Sequence, residues 1–472
     1  MASSRTIHFV SLGCPKNRVD TEVMLGVAEK AGYRHVDLPE RAEVIVVNTC
    51  GFVDEAKQES IDTILSLCGH KTQGCCQRLV VTGCLSQRYP QDLALELPEV
   101  DHFLGSSDML KLEDVLGGRG GRMLVGNPGE WVMRASDPRT LSTRRGSAYV
   151  KLAEGCSRTC AFCVIPQLRG RQRSRHPDDI VEEVRRLAAG GVVEINLVSQ
   201  DTLAYGRDLS TRPTLASLTE RLAEIDGVRW IRLLYLYPEQ LDSRLVELLA
   251  HHPRVLPYVD MPLQHAAESM LRRMRRGHGG ARLRRLVEQL RGAVSNLVFR
   301  TAFIVGHPGE TEEAFDELCH FVRWAEFDRI GLFRYSDEAD TASSRLSGKV
   351  SARVAGARAR RLMAVQRQIS RRKNRGLIGQ PLDVLVEGPS QDSELVMVGR
   401  HAGQAPDVDG CVYLSGGPTR PGRMERVIVS HATDYDLVAE IVPDSDWQPK
   451  SGVQRSTGAA AERPRVMLPI AT

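Results

Sequence analysis

Three cysteines crowd into the stretch YVKLAEGCSRTCAFCVIP: Cys156, Cys160 and Cys163, with three residues between the first pair and two between the second. Structural cysteines gain nothing from such clustering, whereas metal centres require it. A cubane iron-sulfur cluster has four irons, each needing an outer ligand, and cysteine thiolate is the usual one. Electron-transfer proteins supply four thiolates, because their cluster needs only to be held. Three thiolates leave one iron open to chelate a small molecule by its amino and carboxylate groups, and S-adenosylmethionine is such a chelator. Zinc is the competing reading. It pairs C-x-x-C with a second pair or a histidine, and His176 is the nearest downstream.

A second set of thiols is spread over the first hundred residues. TIHFVSLGC, AEVIVVNTC and QRLVVTGC are short apolar runs that end where a cysteine begins, separated by the helical patterns RVDTEVMLGVAEKAGY and FVDEAKQESIDTILSLC. Strands alternating with helical periods indicate a parallel α/β sheet. Open α/β sheets gather ligands at the carboxyl ends of their strands. Cys14, Cys50 and Cys84 all fall there, so three thiols distant in sequence are expected to meet in space.

Residues 117 to 147 are rich in Gly, Arg, Ser and Pro and read as a linker. From about Tyr149 to residue 345, helix-then-strand units such as DDIVEEVRRLAAGG with VVEINLVSQD recur about six times. They predict a partial barrel of parallel strands, (β/α)6 of the TIM type, with ligands at the carboxyl ends of the strands. Residues 377 to 442 change to short β-rich segments with Gly and Pro turns and predict a small antiparallel β-barrel. That segment holds ten acidic and four basic residues, whereas 353 to 375 holds nine basic and no acidic ones. The expected divisions are 1–130, 146–376, 377–443 and a low-apolar tail over 444–472 that reads as disordered.

The chain of 472 residues is 42 % hydrophobic and 26 % charged, ordinary for a soluble globular protein, and no apolar run is long enough to span a membrane. MASSRTIHFVSLG lacks the apolar core of a secretory signal. A cytoplasmic location is therefore expected, and eleven cysteines in a reducing compartment are not a disulfide framework.

EGCSRTCAFCVIP matches the CxxxCxxC signature of radical S-adenosylmethionine enzymes, and the order of parts over residues 5 to 442 resembles the methylthiotransferase family. That family has an N-terminal three-cysteine domain, a radical domain and a C-terminal barrel of the TRAM type. The resemblance implies one 4Fe-4S cluster on Cys156, Cys160 and Cys163 and a second on Cys14, Cys50 and Cys84, where an open iron can carry the sulfur to be inserted. SLGCPKNRVDTE, VNTCGFVDEAKQESIDTI, LVSQDTLAYG and DMPLQHA are most similar to the branch that methylthiolates an aspartate β-carbon in small-subunit ribosomal protein S12. The implied reaction cleaves one S-adenosylmethionine, abstracts the β-hydrogen, inserts sulfur and takes the methyl group from a second S-adenosylmethionine. It implies S12, an electron donor and a sulfur source as partners.

The transfer RNA branch of the family tends to carry Gln-Met-Asn after its first cysteine, where this chain has Pro15, Lys16 and Asn17. The acidic terminal barrel repels a phosphate backbone and suits a basic ribosomal protein. A transfer RNA methylthiotransferase and a non-catalytic iron-sulfur ribosome-binding factor are the two rival readings. Gln200, Asp201 and Gln264 fall at strand ends and are candidate contacts to S-adenosylmethionine. VGHPGE, residues 305 to 310, is either a cofactor cradle or a plain turn opening a helix. Cys68, Cys75, Cys76, Cys319 and Cys411 read as bystanders, with Cys411 placed in a strand of the terminal barrel. The basic segment 353 to 375 reads as a solvated helix face with a possible weak contact to RNA, and the run Leu271 to Arg285 as a flank of the substrate entrance.

Overall fold

The structure, a computed structural model, describes residues 5–442 apart from residue 240. The tail expected from 444 lies outside the described residues. The first sheet has the strands β1 (Arg5–Ser11), β2 (Tyr33–His35), β3 (Val44–Thr49), β4 (Arg78–Gly83), β5 (His102–Leu104) and β6 (Met123–Leu124), all parallel in the order β2-β1-β3-β4-β5-β6. β3 is buried along its whole length, the pattern of a central parallel strand covered on both faces.

The second unit begins with β7 (Ser147–Lys151) and a short antiparallel pair, β8 (Ala153–Glu154) with β9 (Arg173–Ser174), that brackets the close-set cysteines. Five further parallel strands follow, β10 (Glu194–Val198), β11 (Trp230–Leu233), β12 (Val255–Asp260), β13 (Val298–Val305) and β14 (Arg329–Arg334). The order β7-β10-β11-β12-β13-β14 is sequential and open, the partial barrel expected from the repeated units. Side chains alternate along each strand. Ala148 and Val150 pack outward against the helices, whereas Tyr149 faces inward.

The third unit is a closed five-stranded barrel, β15 (Pro381–Pro389), β16 (Met397–His401), β17 (Val412–Ser415), β18 (Met424–Ala432) and β19 (Leu437–Ile441), in the order β15-β16-β17-β19-β18. Four of its contacts are antiparallel, and β17 pairs with β19 in parallel, so the expected antiparallel barrel carries one parallel seam. Cys411 lies one residue before β17 rather than in it, its N–H bonded to Asp436 Oδ1.

The inward face of the open barrel is filled by the other two units. The helix Pro15–Lys30 is buried at thirteen of its sixteen positions, as a helix packed on all sides must be. One hydrophobic cluster joins Val19, Val23 and Met24 of that helix to Tyr149, Trp230 and Tyr258 of the barrel and to Leu385 and Ala405 of the third unit. Several polar groups in this shared core are paired, as burial demands. Tyr149 donates to Asp407, Tyr258 to Asp409, and Arg139 holds Glu22. At the other end of the strands Glu194 accepts from Arg400 at 2.5 Å, from Arg232 at 3.0 Å and from Ser147 at 2.8 Å.

Burial alone disfavours the Glu194 carboxylate, but Arg400 and Arg232 outweigh it and hold the group down to about 2, from an ordinary 4.5. Its contribution to stability is complete above pH 4.5 and is lost as pH falls toward and through 2. Arg400→Met removes one partner of a buried charge cluster and is expected to cost about 3–5 kcal/mol. The check is a lower urea midpoint at pH 7, with the difference from wild type shrinking as pH falls below 4.5.

Candidate active site

Cys14 is the N-cap of the helix Pro15–Lys30, Cys50 directly follows β3, and Cys84 opens the short helix Cys84–Arg88 after β4. The carboxyl ends of adjacent parallel strands thus bring the three together. Gly13 and Gly83, each just before a cysteine, have φ of 89° and 96°, the left-handed region that glycine enters freely. A Cβ on Gly13 would stand 2.9 Å from Cys50 Cβ and one on Gly51 2.8 Å from the Cys84 carbonyl. The three loops pack too closely for side chains other than the thiols. Burial raises the Cys50 thiol to about 12, with Cys84 and Cys14 adding to it. Burial acts on Cys14 too, but Lys16, Arg169 and the Asn17 amide reverse it, and its thiol lies below the ordinary value.

Cys156, Cys160 and Cys163 lie in the loop between β8 and β9, and Gly155 before the first has φ 72°. A Cβ there would meet Arg171 O at 2.3 Å, so Gly155 is required by contact as well as by dihedral. Donors point at the sulfurs: Arg158 N–H to Cys156 Sγ at 3.4 Å, Ile165 N–H to Cys163 Sγ at 3.5 Å and Arg276 Nη1 to Cys160 Sγ at 3.2 Å. Burial, with the neighbouring Cys160 and Cys156 adding to it, raises the Cys163 thiol to about 12. Such a thiol gives up its proton to a cation that binds the sulfur. Among the described residues no group of three or more His, Cys, Asp or Glu is arranged for one metal ion. Three thiols in each set, without a fourth ligand beside them in the sequence, are the donor number of a cubane with one open iron rather than of a four-ligand zinc site. Two triads of buried and half-buried thiols, with backbone and guanidinium donors on their sulfurs, fit such clusters.

The two triads are joined by Arg169, the last residue of the helix Ile165–Arg169 that follows Cys163. Its guanidinium crosses to the first unit, donates to Asn17 Oδ1 at 2.6 Å and pairs with Asp20 at 2.7 Å and Glu154 at 3.6 Å. Lys151 bonds the same Asp20 and Glu154. Burial works against the Arg169 charge, and Asp20, Cys84 and Glu154 more than offset it.

Gln200 and Asp201 follow β10 by two and three residues, on the barrel edge that carries the cysteine loop. Asp201 Oδ2 accepts from Arg158 Nε at 2.6 Å, while Asp201 Oδ1 and Gln200 Oε1 are buried without a hydrogen-bond partner. Gln264 sits beyond β12 at φ 72°, in a backbone bridge to Phe303. VGHPGE forms a turn in which Glu310 accepts from Gly306 N–H and Arg358 and faces His265. Cys75 and Cys76 lie before the amino end of β4, a strand length from Cys84, and Cys319 is buried in the core of the second unit. Cys68 ends the helix Asp54–Cys68.

Arg169, Arg158 and Arg276 belong to the site and are absent from the residues expected from sequence. Arg158 lies between two of the ligand cysteines and Arg276 in the run 271 to 285, so proximity in sequence was the available signal. Nothing local marks Arg169. The helix Ala352–Arg375 spends six of its nine cations internally: Arg358, Arg361, Arg367, Arg371, Arg372 and Lys373 all pair with carboxylates.

Residues 6–105 match the family described as uncharacterized protein family UPF0004, 150–322 the radical SAM superfamily and 378–442 the TRAM domain. A ribosomal protein uS12 methylthiotransferase RimO from Sorangium cellulosum is 64 % identical over 99 % of this chain and 97 % of its own. The protein of the same name from Myxococcus xanthus is 48 % identical over 97 % and 96 %. Among solved structures, the radical S-adenosylmethionine methyltransferase TsrM from Kitasatospora setae aligns over 70 % of this chain and 75 % of its own with a TM-score of 0.51. Its 17 % identity makes that a likeness of fold alone. With close relatives matching from end to end and all three units in the same order, the chain belongs to the ribosomal protein uS12 methylthiotransferase RimO family.

Proposed function

We propose that the protein methylthiolates the β-carbon of an aspartate in small-subunit ribosomal protein S12, in the cytoplasm, with an electron donor and a sulfur source supplied by other proteins or small molecules. As a radical S-adenosylmethionine methylthiotransferase it works with S-adenosylmethionine and two 4Fe-4S clusters. The observation that carries the reading is the pair of thiol triads, with Cys84 packed against Val164 next to Cys163 and the Arg169 guanidinium reaching from the second set to the first.

In this reading Cys156, Cys160 and Cys163 hold one cluster and Cys14, Cys50 and Cys84 the other. When bound, the clusters supply one-electron cleavage of S-adenosylmethionine and an iron on which transferable sulfur is carried. The chain's own residues do the rest by position. Asp201 Oδ1 and Gln200 Oε1 are acceptors whose burial without a partner costs about 1–3 kcal/mol each, and amino or hydroxyl donors of S-adenosylmethionine repay it. Arg158 fixes the Asp201 carboxylate, and Arg276 sets a positive charge on Cys160. Gln264, held at a positive φ beyond β12, completes the contacts two strands further along the sheet.

The net acidity of the third unit and the pairing of six cations of the 352–375 helix with carboxylates reduce what those two segments offer a phosphate backbone, which favours a protein substrate over transfer RNA. No helix among the described residues is long and apolar enough to cross a membrane.

Mass spectrometry of intact small-subunit ribosomal proteins and of digested transfer RNA nucleosides, from cells with and without the protein, tests the substrate. A methylthio increment that disappears from S12 is the expected result; its loss from an adenosine derivative overturns it. Replacing Cys156, Cys160 and Cys163 together by alanine is expected to remove about half the iron after anaerobic reconstitution, one cubane of two. Unchanged iron contradicts the ligand assignment.

A further inference from the structure

The helix Pro15–Lys30 carries four buried charged residues in its first two turns, Lys16, Arg18, Asp20 and Glu22. Three are neutralised: Arg18 by Asp407, Asp20 by Lys151 and Arg169, and Glu22 by Arg139. Lys16 is not. It is only 8 % exposed, and among the described residues its ammonium has neither an ion pair nor a hydrogen bond. It lies over the face of the Tyr235 ring, 3.5 Å from Nζ to the centroid, with Cys14 and Asp260 as more distant charges that favour the ammonium.

Tyr235 is itself fixed. It follows β11 at φ 59°, and its N–H donates to Asp260 Oδ2 at the end of β12. The Lys16 ammonium therefore stands over the carboxyl ends of the barrel strands, on the edge that carries Gln200, Asp201 and the cysteine loop, and two residues from Cys14. The other cations of this edge are committed. Arg158 pairs with Asp201 and Glu239, Arg300 with Asp260 and Asp409, Arg169 with Asp20 and Glu154, and Arg276 with Cys160 Sγ and Pro262 O.

An ammonium on a largely buried side chain, with no anion at ion-pair distance, is placed to take one, and a ring face compensates its lost hydration only in part. We propose that Lys16 binds the side-chain carboxylate of the substrate aspartate and so places its β-carbon between the two thiol triads. This rests on the S12 reading above and adds to it the residue that selects aspartate. The carboxylate carbon is bonded directly to the β-carbon, so a cation that grips the carboxylate fixes the reacting atom one bond away. The tyrosine ring keeps the ammonium in place for an incoming anion without neutralising it.

The test uses the reconstituted full-length protein under anaerobic conditions and fluorescently labelled S12 in two forms, with the modified aspartate intact and replaced by asparagine. Wild type is expected to bind the aspartate form about 10-fold or more tightly than the asparagine form, the strength of a charge-assisted hydrogen bond. Lys16→Met is expected to erase the difference by weakening the aspartate form alone, and Lys16→Arg to retain most of it. Undiminished discrimination in Lys16→Met overturns the assignment. So does equal weakening of both forms, or lost iron with the ratio unchanged, since either makes Lys16 a support for Cys14. If wild type binds neither form, the S12 reading fails first and is recognised as that failure.

Discussion

A guanidinium taken out of water, that of Arg169, holds the reactive face together. It extends from the turn after the close-set cysteines into the unit that bears the dispersed ones, and it ends on Asp20, Glu154 and Asn17. A buried ion cluster of this kind adds little net stability, because desolvation consumes most of the attraction. It does define geometry, since each partner is costly to leave unpaired. The two triads are therefore set relative to one another by charge, and the apolar packing around the helix Pro15–Lys30 holds that arrangement in place.

The same logic explains why the three units form one body. The inner face of the open barrel presents Tyr149, Arg232, Tyr258 and Arg300, side chains whose polar groups an apolar lid would leave unsatisfied. The first unit inserts a helix and the third a loop with Asp407 and Asp409, and together they supply the missing acceptors.

Much of this was legible in the chain. Short apolar runs ending at Cys14, Cys50 and Cys84 predicted the sheet edge where those thiols meet, and the CxxxCxxC spacing predicted the second triad without any tertiary knowledge. A further signal went unread: glycine precedes Cys14, Cys84 and Cys156, and all three glycines are left-handed. What sequence does not carry is long-range pairing. Arg169 meets Asn17 across 152 positions, and Arg400 meets Glu194 across 206. No local pattern marks those partners, because they are created when the units dock. The parallel β17–β19 seam escaped for a related reason, since short strands reveal their alternation but not their neighbour.

The central claim is that the Arg169 charge organises the dispersed triad from across the unit boundary. Its most direct test is iron content after anaerobic reconstitution in the Cys156→Ala, Cys160→Ala, Cys163→Ala background, where only Cys14, Cys50 and Cys84 remain to hold a cluster. The parent should bind about four irons, one cubane, and the same protein with Arg169→Met should bind few or none while keeping its far-ultraviolet circular dichroism. Retention of about four irons by that variant would show that the dispersed triad stands without Arg169 and would contradict the account.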